Sequence, residues 1–197
     1  MTDPVRPLQD HALDNLRYIR EAMERAGSFT SIPGVGGVII GVTAVAAAIV
    51  AHPSARPGEP RWLKIWLAEA VVAALVAAVA MELKRRKARA TWTSVAARRF
   101  FISYFAPIIA AAALTVVIGR TGSLAPLPPT WLLLYGASFV TSGAFSIRLV
   151  PLMGICFMLL GFIACFTPLP VGNVLLGAGF GGIHIVFGWM IARYHGG

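Results

Sequence analysis

The chain has few charges, two cysteines and, after position 82, no acidic residue at all. Charged side chains make up 13% of its 197 residues against 57% hydrophobic ones, where soluble proteins carry roughly 25% charge. So little polar surface cannot cover a water-soluble globule of this size, so the expected solvent for much of the chain is lipid. Cys156 and Cys165 are nine positions apart in one apolar run, which is about 13 Å along a helix and too far to bridge. Neither a disulfide framework nor a cysteine-based metal site is expected. No pair of carboxylates, no nucleophile with a base and no metal-ligand spacing can be assembled, so an enzyme is disfavoured and no cofactor or metal is expected.

Seventeen basic residues stand against eight acidic ones, a formal charge of +9. The acids are Asp3, Asp10, Asp14, Glu21, Glu24, Glu59, Glu69 and Glu82, whereas ten of the basic residues lie from Lys84 onward. Nucleic-acid binding would need basic and aromatic residues interleaved on an accessible face, and only 84–99, with Trp92, approaches that. The surplus is better assigned to membrane loops, and no nucleic-acid partner is expected.

Six apolar runs of membrane-spanning length follow one another at about 34–51, 62–82, 100–119, 131–147, 149–166 and 171–192. They predict an all-α integral membrane bundle of six transmembrane helices over 33–197. The fourth and fifth runs are separated only by Arg148 and could form one helix of about 54 Å. That overshoots a 30 Å hydrocarbon core, so a hairpin at 146–151 is the favoured reading. With the amino terminus inside, inner segments hold 13 Lys and Arg and outer segments four (Arg56, Arg61, Lys64 and Arg120). This bias places both termini in the cytoplasm of a bacterial-type inner membrane. Trp62, Trp66 and Trp131 at outer ends and Trp189 near an inner end read as an interfacial belt.

Ahead of the spans, residues 1–32 are polar, but Leu8, Ala12, Leu16, Ile19, Met23 and Ala26 recur at helical spacing. They predict an amphipathic cytosolic or interfacial helix whose face of Leu16, Ile19 and Met23 binds a protein partner, a second copy of the chain or lipid. The run Lys84, Arg85, Arg86, Lys87 and Arg89 at the end of the second span is expected on anionic phospholipid headgroups.

Two titratable residues lie well inside spans. Glu69 sits about 10 Å from the outer end of the second, where a carboxylate costs on the order of 3 kcal/mol at a helix centre and so marks a path, a relay or a buried pair. His184 lies near the middle of the sixth and can carry a proton or tie two helices together. Tyr135, Ser138, Ser142 and Ser146 form one polar stripe on the fourth span, either lining water or bonding neighbouring helices. Tyr135 and Ser138, by depth, are the expected partners of Glu69. Pairs of glycines four apart, Gly37 with Gly41 and Gly177 with Gly181, predict close helix packing.

Two function classes remain. The first is a multi-pass interaction, scaffold or regulatory protein working through its leading helix. The alternative is a small transporter or channel with a proton-linked path through Glu69, the serine and tyrosine stripe and His184.

Overall fold

The computed structural model describes residues 15, 16, 19, 32–56, 59–88 and 95–195. Among them six helices account for the fold, as the count of apolar runs predicts: α1 Gly34–Ala51, α2 Pro60–Ala88, α3 Val95–Arg120, α4 Leu127–Gly143, α5 Leu149–Ala164 and α6 Leu169–His195. Prolines begin several of them. Pro60 opens α2, Pro128 follows the first residue of α4 and Pro170 that of α6, positions where a missing N–H leaves no helical bond unmade. At the far end of α3 the chain turns through Gly122, whose φ of +78° a side chain would resist. The 131–166 stretch is two helices joined at 144–148 and not one long rod.

Four helical stretches are long and apolar enough to cross a membrane: Gly34–Ser54, Pro60–Lys87, Val95–Arg120 and Leu169–His195. Helices α4 and α5, with 17 and 16 residues, are shorter, about 26 and 24 Å at 1.5 Å per residue. Large apolar side chains cover the exterior, among them Val71, Leu75 and Val79 of α2, Ile102, Ile109 and Val116 of α3, and Leu159 and Phe162 of α5.

Glycine sets the tightest contact. A Cβ on Gly41 of α1 would lie 2.7 Å from the Gly181 carbonyl oxygen of α6, and one on Gly37 would lie 3.2 Å from Gly188 Cα, so the two backbones touch. The same device joins α4 to α5, where each of Gly136 and Gly154 would press an added Cβ onto the other's carbonyl, at 2.7 and 2.6 Å. These two hairpin-like pairs pack together around Phe157, Leu132 and Leu176, all fully buried. In α6 the run Gly177–Ile183 is wound as a π-helix, the wider turn that often accompanies functional sites.

Helices α2 and α3 sit on the flanks. α2 packs on α1 and α3 packs on α4, but α2 and α3 make little contact with each other. The space between them is an open cleft.

In the leading segment Leu16 and Ile19 are helical and exposed, while Met23 lies outside the described residues. The tryptophan belt is corrected for two of its four members, while Trp189 is exposed. Trp62 and Trp66 are interior side chains, 0% and 4% exposed, and both indole N–H groups donate to Asn173 Oδ1 of α6 at 2.8 and 2.9 Å. A buried amide needs donors, and indoles that satisfy it cannot also serve as headgroup anchors.

Candidate functional site: the cleft between α2 and α3

The cleft has a volume of about 650 Å³. Its lining runs along α2 from Trp66 to Glu82, 16 residues or about 24 Å, and along α3 from Phe100 to Thr115. One wall is a stripe of small side chains, Ala70, Ala73, Ala74, Ala77 and Ala78, which recur at spacings of three, one, three and one and therefore share a face of α2. Alanine is the strongest helix former, so this face keeps α2 regular while leaving room beside it. The opposite wall is aromatic, with Phe100, Phe101, Tyr104 and Phe105. Trp131 and Tyr135 of α4 and Phe180 of α6 form the floor.

Glu69 lines this cleft, and its Oε1 accepts a hydrogen bond of 2.8 Å from Thr43 Oγ1 of α1. The same hydroxyl, which has one proton to give, also lies 2.9 Å from the Ile40 carbonyl of its own helix. The expected partners are thus corrected: Tyr135 and Ser138 are engaged elsewhere. Tyr135 Oη lies 2.8 Å from His184 Nε2, and Ser138 Oγ donates to the Tyr135 carbonyl at 2.7 Å.

The serine stripe is corrected as well. Ser138 and Ser142 are fully buried, and Ser142 Oγ donates to the Ser138 carbonyl at 2.6 Å. Both hydroxyls are spent on the backbone of α4, because a serine at this position reaches the carbonyl one turn back more readily than a neighbour across the interface.

His184 is caged by rings. Phe157, Tyr135 and Phe180 lie 5.3, 5.5 and 6.2 Å from it between centroids, the last stacked at 18°. Tyr135 also meets Tyr104 edge to face, ring centroids 6.4 Å apart. His184 Nδ1 has no partner of hydrogen-bonding geometry, although the Phe180 and Gly179 carbonyls of the π-helical turn are close by. Carbonyls repel a bare nitrogen lone pair and favour an N–H. Tyr135 and His184 share one hydrogen bond, its donor set by the imidazole tautomer. The buried histidine meets the cleft lining at Tyr135 and Phe180.

The structure brings Glu69, Tyr135 and, behind it, His184 to one cleft, and it sets Ser138 and Ser142 apart. Thr43, Tyr104, Asn173 and Phe180 complete the arrangement and escaped the reading of the sequence. Thr43 and Asn173 carried a signal all the same, since each is a strongly polar group in an otherwise apolar run. Asn173 Nδ2 donates to the Ala48 carbonyl at 3.0 Å, so one amide joins α1, α2 and α6.

The basic run lies at the end of α2. Lys84 Nζ donates to the Ile32 and His195 carbonyls at 2.8 and 3.1 Å, tying α2 to the start of α1 and the end of α6. Arg85 and Arg86 both pair with Glu82 at 2.6 Å. Lys87 is exposed, and Arg89 lies outside the described residues. Among the described residues no three His, Cys, Asp or Glu side chains meet as a metal site. Comparison with protein families, with curated proteins and with solved structures finds no match to this chain.

Proposed function

We propose that the chain is a multi-pass membrane protein that takes a hydrophobic guest from the bilayer into the cleft between α2 and α3, the binding step of a small transporter. The observation that carries this reading is the cleft itself. Its volume falls in the usual range of about 300–1,000 Å³ for small-molecule sites, and it lies between two helices whose outer faces are apolar. A guest already dissolved in lipid would enter without passing through water. The proton-linked path from Glu69 along the serines to His184 is no part of the proposal, since the serines are bonded to their own helix.

The membrane is a bacterial-type inner membrane with both termini cytoplasmic, a reading that rests on the 13 to 4 distribution of basic residues, with anionic headgroups beside Lys87. A second reading, an interaction protein that docks a partner or a second copy through its leading helix, is favoured by the exposure of Leu16 and Ile19.

The cleft is tested with a neutral, photoactivatable hydrocarbon probe in vesicles that contain the full chain. Labelling is expected to concentrate on Ala70, Ala73, Ala74, Ala77 and Ala78 of α2 and on Tyr104 and Phe105, and to fall when Ala74→Phe and Ala77→Phe fill the space. Uniform labelling over the outward Val71, Leu75 and Val79, unchanged by filling, removes the cleft as a site.

A further inference from the structure

Resting on the cleft reading, we infer that the guest is a hydrophobic organic cation, held with its charge at Glu69 and its apolar groups on the surrounding aromatic rings.

The argument is one of charge complementarity. Glu69 has a single hydrogen bond, from Thr43, and among the described residues no basic side chain pairs with it. No lysine, arginine or histidine lines the cleft, and the other acid on its wall, Glu82, is held by Arg85 and Arg86 about 20 Å further along α2. The unmatched charge of the cavity is therefore acidic. Around it Trp66, Tyr104, Tyr135 and Phe180 present ring faces and edges, and a cation over such a face gains from the ring quadrupole, most strongly where water is excluded.

The competing occupants fit less well. A neutral chain gains nothing from an ionisable carboxylate that is costly to keep in a span, and an anion is repelled by it. A metal ion would need several oxygen ligands, and Glu69 stands without a second carboxylate or histidine beside it.

Two ions of matched size and opposite charge decide the matter: tetraphenylphosphonium and tetraphenylborate. Their equilibrium binding is measured on the full chain in nanodiscs of zwitterionic lipid, so that the bilayer itself adds no charge preference. Saturable phosphonium binding and no saturable borate binding are expected. Glu69→Gln should weaken the phosphonium by about tenfold or more, equal to about 1.4 kcal/mol, and Glu69→Asp should retain most of it. Equal binding of both ions, no saturable phosphonium binding, or a Glu69→Gln protein with unchanged affinity overturns the inference. The wild-type comparison needs no variant, so a Glu69→Gln chain that fails to fold leaves the test intact. The neutral photolabel separates the two readings: labelling of the cleft without cation preference removes the cation and keeps the site.

Discussion

Asn173 concentrates more of the fold than any other single polar side chain. Its Oδ1 accepts from two tryptophans of α2 and its Nδ2 donates to the backbone of α1, all in a setting where it is 1% exposed. Replacing it by leucine leaves two indole N–H groups without partners, while the Ala48 carbonyl keeps the N–H of His52, and each buried unpaired group costs roughly 1–3 kcal/mol. Asn173→Leu should therefore destabilise the protein by on the order of 2 kcal/mol or more, read as a lowered midpoint of thermal unfolding in detergent. A loss under about 0.5 kcal/mol, the usual effect of a surface change, would show that the indoles find other acceptors. Glu69 differs in kind, because Thr43 alone supports it and its role is argued from the cavity it faces rather than from stability.

At the level of helices, the structure turns on where small residues lie. The spacing of Gly37 and Gly41 was legible as a close contact, but its partner was not: a glycine pair announces that some backbone comes near, and only the fold shows that Gly188 and Gly181 of α6 supply it. Gly41→Val should destabilise by about 1–3 kcal/mol, the cost of forcing volume into a packed interface. Gly119→Ala, where an added Cβ meets nothing within 4 Å, should be neutral or stabilising by up to about 1 kcal/mol. Equal effects in unfolding assays would mean that the contact of α1 and α6 is looser than its geometry. The number of helices was readable because each apolar run is bounded by proline or charge. The tryptophans and serines were misread for a common reason. Their positions along the chain were plain, but whether a polar tip turns outward to headgroups or inward to a carbonyl depends on which helix stands beside it. The π-helical turn was hidden too, since four glycines in seven residues fit many conformations.

For the whole molecule, the open question of architecture is whether the short α4 and α5 cross the bilayer or dip into it and return. Either arrangement leaves both termini on the same side, so terminal reporters do not separate them. Their turn does. At 144–148 it carries Arg148, and Arg99 at the start of α3 lies over the Phe145 ring at 5.9 Å. One turn further in, Thr141 Oγ1 donates to the Ser103 carbonyl at 3.0 Å, and at the opposite end Trp131 Nε1 donates to Thr115 Oγ1 at 2.8 Å. Helix α4 thus runs antiparallel to α3 over most of its length, and its turn reaches the level of the basic segment Arg98 and Arg99. A cluster of arginines at one level belongs with headgroups and not with hydrocarbon. We propose on this ground that α4 and α5 both cross, with their turn on the cytoplasmic side. In a background with Cys156 and Cys165 replaced by alanine, Arg148→Cys is expected to react with a membrane-impermeant maleimide only after the cytoplasmic face is opened. Met1 and Gly197 tags should behave in the same way. Labelling of position 148 in sealed cells would place the turn outside or within a re-entrant loop, and α4 and α5 would then no longer count as spans.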